Sequence, residues 1–260
     1  MTRLLATLVI ALTFMLSPQA PALAQSQSAA EASADTWLAW VRTGDSELDR
    51  VSSLGLEGLA RALYTRSSVE PPGAVGVDIT RDDLSLYPFL YWPLGENQQD
   101  LSDYVAEKLN RYMRNGGTIF FDTRDARYGG DGPGGAALRR IARKLDIPPL
   151  QEVPDDHVLT KSFYLLQSFP GRYQGAELWI ADAASTQNDG VTPIMIGSGD
   201  YAGAWAVTRA GRPAYPVSSG RPRQRELAYR FGVNLVMHIL TGSYKSDQVH
   251  IPAIMERLGQ

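Results

Sequence analysis

Leu101-Ser102-Asp103-Tyr104-Val105-Ala106-Glu107-Lys108-Leu109-Asn110-Arg111-Tyr112-Met113-Arg114-Asn115-Gly116-Gly117-Thr118-Ile119-Phe120-Phe121-Asp122-Thr123-Arg124-Asp125 decides the fold. Leu101, Tyr104, Val105, Leu109, Tyr112 and Met113 recur at helical spacing and make one apolar face. Asn115-Gly116-Gly117 ends that helix, because glycine takes the left-handed turn a C-cap needs. Residues 118–121 are then a short apolar run with the length of a buried strand, followed at once by charged residues. A helix that delivers a buried strand is the joint of a parallel α/β sheet.

The same alternation extends outward in both directions. Upstream, the spacing predicts a helix over 46–63, weakened by Gly55 and Gly58, and strands over 75–79 and 87–92 with Pro88 at a strand entrance. Downstream, it predicts a helix over 136–145 stopped by Pro148-Pro149, and strands over 177–180 and 192–196. A long helix from 224 to about 240 and a short one after Pro252 complete the pattern, and no internal repeat interrupts it. The expectation is an α/β domain with a mostly parallel central sheet.

Composition narrows the chemistry. The 260 residues include no cysteine, which removes disulfides, Cys-ligated zinc, iron–sulfur clusters and a thiol nucleophile. A formal charge of -3 gives no broad basic field, so nucleic acid is not an expected partner. Arg3, an uncharged run over 4–16, Ser17-Pro18 and Ala22-Leu23-Ala24 before Gln25 have the layout of a secretory signal peptide. That run is shorter than the roughly 20 residues that cross a bilayer, so cleavage after Ala24 is expected, with no retained transmembrane anchor. The chain is read as a signal peptide (1–24), a flexible polar leader (25–35) and one domain (36–260), periplasmic or secreted.

Open parallel sheets bind ligands at the carboxyl ends of their strands. There the predicted strand 118–121 runs into Asp122, Arg124 and Asp125, then Gly129-Gly130-Asp131-Gly132-Pro133-Gly134-Gly135 before a helix. Two alternatives stand. The acids are a general base or ligand site, with the Arg124 guanidinium as a ligand-binding candidate and Gly129 and Gly130 offering backbone N–H groups to an anion, or they cap and pair with Arg124 and Arg127. The loop lacks the Gly-Lys-Ser/Thr ending of a nucleotide P-loop. His157, after Asp155-Asp156, is a candidate base if it folds over Asp122, and Arg172 is a candidate anion clamp. Trp92 and Trp205 are the aromatic candidates for lining a pocket, whereas His238 and Asn234 read as packed polar groups on the last helix. Arg221, Arg223 and Arg225 read as a solvated loop entering that helix. No metal site and no cofactor is expected, and no small-molecule ligand can be named.

The stretch 84–93 (Leu-Ser-Leu-Tyr-Pro-Phe-Leu-Tyr-Trp-Pro) and the segment 111–125 resemble the domain of unknown function 4159 family. So do segments 156–166, 169–173, 225–234 and 240–250, so the resemblance spans nearly all of the chain after the leader. It implies a class I glutamine amidotransferase-like fold, a flavodoxin-like three-layer sandwich, with no assigned activity. Relatives often sit at the C-terminal end of proteins with a membrane module, which implies a cell-envelope or inner-membrane protein partner. This chain is expected to depart from that arrangement, with a signal peptide in place of the membrane module. In amidotransferases of that fold the strand after the long helix delivers a catalytic Cys, and here Asp122 occupies the comparable place. A carboxylate cannot serve as a thiolate, so glutaminase activity is excluded. Neither Gly-x-Ser-x-Gly nor His-Glu-x-x-His is present to replace it. The sequence therefore favours an exported non-catalytic binding or scaffold domain. Two other readings are a hydrolase using Asp122 or Asp125 with His157, and a module docked to membrane proteins by an apolar surface.

Overall fold

The structure, a computed structural model, describes residues 36–182 and 191–258, with side chains as far as 241. The expected signal peptide and leader lie outside the described residues. Strands are β1 (Leu38–Val41), β2 (Ala74–Val77), β3 (Phe89–Pro93), β4 (Thr118–Asp122), β5 (Leu150–Glu152), β6 (Leu178–Ala181) and β7 (Ile194–Gly197). Helices are α1 (Ser46–Arg66), α2 (Asp103–Arg114), α3 (Pro133–Ala142), α4 (Tyr201–Trp205) and α5 (Pro222–Leu258).

All seven strands form one sheet in the order β2-β1-β3-β4-β7-β6-β5. β2, β1, β3, β4 and β7 run parallel, β6 is antiparallel to β7, and β5 is antiparallel to β6. The sheet is therefore mixed but mostly parallel, as expected. Every residue of β3 and β4 is buried, which is what a central parallel strand covered on both faces requires. Successive side chains point to opposite faces. Phe89, Tyr91, Phe120 and Met195 join one core with α1, α4 and α5. Leu90, Trp92, Ile119, Phe121 and Ile194 join the other with α2 and α3. The result is a three-layer α/β domain.

Two glycines that weaken α1 in the sequence have a packing reason. A Cβ on Gly55 would lie 2.4 Å from the Ala202 carbonyl oxygen, and one on Gly58 would lie 2.0 Å from that of Trp205. Their bare backbone lets α4 lie directly on α1. Asp45 opens α1 by accepting from the Glu47 and Leu48 N–H groups. The expected C-cap of α2 is present, with Gly116 at φ 93° and the Gly117 N–H donating to the Tyr112 carbonyl.

Several boundaries differ from the sequence reading. Strand 87–92 starts only at Phe89, because Asp83 caps a 3-10 turn over Leu84–Leu86. Helix 136–145 is shifted to Pro133–Ala142, since Pro133 fits the first helical position. The separate helix after Pro252 is instead continuous with α5. β1, β5 and α4 carry no expectation. No described helix is long and apolar enough to cross a membrane.

Candidate functional site

β4 ends at Asp122, with Pro93 of β3 opposite it on one side and Gly197 of β7 on the other. Asp122 thus stands at the carboxyl ends of three central strands, where the topology directs attention. Its side chain is wholly buried, and a buried carboxylate must find donors. It has four. Oδ2 accepts from the Tyr91 hydroxyl at 2.6 Å and the Tyr201 N–H at 2.7 Å, and Oδ1 accepts from the N–H groups of Arg124 at 3.0 Å and Asp200 at 3.2 Å. The Tyr91 hydroxyl in turn accepts from the Ala202 N–H at 3.2 Å. The first turn of α4 is therefore held by β3 and β4 together.

Arg124 and Asp200 are the two described non-glycine residues with positive φ, at 62° and 54°. That region costs such residues about 1–3 kcal/mol and persists only where the surroundings impose it. Here the imposing group is Asp122, whose Oδ1 takes both of their N–H groups. The turn conformations also bring the two side chains together, with Arg124 Nε donating to Asp200 Oδ1 at 3.2 Å. Arg172 Nη1 donates to Asp200 Oδ2, also at 3.2 Å, its Nε donates to the Pro216 carbonyl, and its guanidinium lies over the Tyr215 ring. Asp200 is completely buried and bridges two guanidiniums.

Burial, and then the nearby Asp200 carboxylate, push the Asp122 carboxyl up from its ordinary range to about 6, even though Tyr91 and Tyr201 donate to it. Burial would lower the Arg124 guanidinium, but Asp200 and Asp122 outweigh it and raise it instead. Burial followed by Asp122 drives the Tyr91 phenol well above its usual value, so it remains a donor. Two acids and two arginines balance within the cluster.

Of the residues singled out from sequence, Asp122, Arg124 and Arg172 are brought together, and Asp125 lies beside them with a different task. Asp125 is buried and accepts from the Gly134 N–H at 3.2 Å and the Gly135 N–H at 2.5 Å, the opening of α3. Its own carboxylate occupies the anion position that the glycine loop was expected to offer. A Cβ on Gly134 would sit 1.9 Å from the Thr123 carbonyl oxygen, so this loop is glycine-rich for close packing. Gly129 and Gly130, at φ 78° and 106°, form an exposed turn, with the Gly130 N–H donating to the Asp125 carbonyl.

His157 is not brought to Asp122. Its Nδ1 accepts from the Leu159 N–H and its ring packs edge-on against His238, 5.5 Å between centroids. Gln224 donates to the Gly171 and Arg172 carbonyls beside the cluster, and His238 lies fourteen residues further along α5, about 21 Å of helix. Val236 and Ile239 there pack with Leu38, Pro88 and Phe89, the amino ends of β1 and β3. His157 therefore belongs to the opposite end of the sheet. Trp92 and Trp205, expected to line a pocket, are fully buried in the core instead, donating to Gln98 and to the Ala228 carbonyl. Among the described residues no group of three or more His, Cys, Asp or Glu is arranged to hold a metal ion.

Asp200, Tyr91 and Tyr201 were missed. One signal existed: Gly197-Ser198-Gly199-Asp200 follows the strand read at 192–196, just as Asp122 follows 118–121. Adjacent strands that each end in an acid place two carboxylates at one sheet edge.

These features define a three-layer α/β domain whose central strands end in an internally satisfied cluster of two carboxylates and two guanidiniums. The chain belongs to the family described as a domain of unknown function (DUF4159), which matches residues 37–240. No curated protein matches it.

Proposed function

We propose that this chain is an exported, non-catalytic binding or scaffold domain of the cell envelope, built on a flavodoxin-like, class I glutamine amidotransferase-type sandwich. The strand order beginning β2-β1-β3-β4 is that of flavodoxin-like sheets and supports the fold reading. The observation that carries the functional reading is the engagement of Asp122. Both of its oxygens are filled by donors of the protein itself, and its partners hold two strained turns and the start of α4. A group so committed organises the strand ends rather than attacking a substrate. The hydrolase alternative needs His157 beside Asp122 or Asp125, and the two ends of the sheet separate them. Export rests on the signal-peptide layout of residues 1–24. The partner this reading implies is a cell-envelope or inner-membrane protein.

The test is a hydrolysis screen of purified mature protein on glutamine, ester and phosphoester substrates. No turnover is expected, and turnover that disappears in a folded Asp122→Asn variant would overturn the proposal. N-terminal sequencing of the envelope fraction is expected to find the chain starting at Gln25, and crosslinking there is expected to recover a membrane protein.

A further inference from the structure

The geometry points to a binding site for a small organic anion, a carboxylate or phosphate ester on an apolar body, in the cavity between α1 and the start of α5. The cavity is about 460 Å³, within the range of small-molecule sites. Arg66, Arg221 and Arg225 line it, with Pro213, Pro216 and Val217 as its apolar wall. Glu226 is the one acid among the lining residues, and it is already committed. It accepts from Arg66 at 3.1 and 2.9 Å and from Arg230 at 2.9 Å.

Arg225 differs from the other partly buried arginines of this region. Arg124 and Arg172 share Asp200, but Arg225 donates to the main-chain carbonyls of Ala204 and Tyr215. Carbonyls satisfy its N–H groups without neutralising its charge, and a half-buried cation is normally paired. Burial, with Arg172 nearby, holds the Arg225 guanidinium below its ordinary value, as a cation lacking a carboxylate should be. Arg221 is exposed at the rim and has no carboxylate partner among the described residues. The lining therefore carries an excess of positive charge next to rigid apolar surface, the complement of an anion with a hydrophobic body. The sequence reading of Arg221, Arg223 and Arg225 as one solvated loop is corrected, because Arg225 turns into the cavity wall while Arg223 remains exposed outside it. This site rests on the cavity alone and is independent of whether the sheet end is catalytic.

The test is isothermal titration of the purified protein, in phosphate-free buffer at physiological salt, with phenyl phosphate, benzoate and inorganic phosphate. Phenyl phosphate or benzoate is expected to bind with Kd of about 1 mM or tighter, and at least about tenfold better than inorganic phosphate, since only they contact the proline wall. Whichever of the two binds better identifies the head group. Arg221→Glu, at an exposed position, is expected to weaken binding at least about tenfold, and Arg223→Glu about twofold or less because salt screens it. Circular dichroism checks that both variants fold. Absence of binding by both aromatic anions at about 10 mM, equal affinity for inorganic phosphate, or equal loss in the two variants would overturn the site.

Discussion

Asp122 is a carboxylate where the chain has four donors to satisfy, so replacing it by an amide tests its role directly. Asn offers one acceptor and one donor group, and the donor must face N–H groups that cannot accept. Asp122→Asn is expected to lose about 1–3 kcal/mol of stability in urea denaturation, with no effect on any hydrolytic activity. Asp200→Asn keeps a residue that tolerates positive φ but removes the charge shared by Arg124 and Arg172. Breaking a buried ion pair from one side costs about 3 kcal/mol, and the same measurement should find that loss. The strand end that holds Asp122 could be read from Thr118 and three apolar residues followed by charge. Arg172 could be singled out only as an isolated cation, because its partner lies twenty-eight residues away and nothing local in the sequence encodes that pairing. His157 misled for the same reason: an acidic turn with a histidine looks catalytic until the chain's path carries it to the other end of the sheet.

At the scale of elements, helices with a wide apolar stripe and strands with continuous apolar runs were legible. β1, β5 and α4 were not, although β2, β6 and β7 are no longer than β1. Gly55 and Gly58 illustrate how a local rule can point the wrong way. Each weakens an isolated helix by about 1 kcal/mol relative to Ala, yet the close approach of α4 requires them. Gly58→Ala should therefore destabilise the domain by about 2 kcal/mol despite better helix propensity, which thermal denaturation will show; a stabilised variant would contradict the α1–α4 contact. Asn234 does for α5 what Asp122 does for the sheet. Its amide accepts from the Tyr164 N–H at 2.7 Å and donates to the Leu159 and Tyr164 carbonyls at 2.8 Å each, fastening the 159–164 segment to the helix.

Across the whole molecule, two buried groups set opposing responses to pH. Folding raises the Asp122 carboxyl from 3.8 to about 6, so its contribution is full below pH 3.8 and is lost as the pH rises to about 6. Folding lowers the His238 imidazole from 6.5 to about 4, chiefly by burial and secondarily through His157. Its contribution is present above pH 6.5 and is lost as the pH falls toward 4. Each slope is worth up to about 3 kcal/mol, and they oppose each other where they overlap, between pH 4 and 6, with His157, also lowered by burial, acting in the same sense as His238. Urea titrations should find a shallower pH dependence in that window for the unmodified chain than for Asp122→Asn. Asp122→Asn should become weaker on acidification, and His238→Gln should become stronger.

Because the opening amides of α4 end on Asp122 and Tyr91 while the body of that helix lies on bare glycine backbone in α1, neither contact can open without the other. Isotope labelling should therefore find the Tyr201 and Ala202 protons among the slowest to leave, released only when the entire domain comes apart.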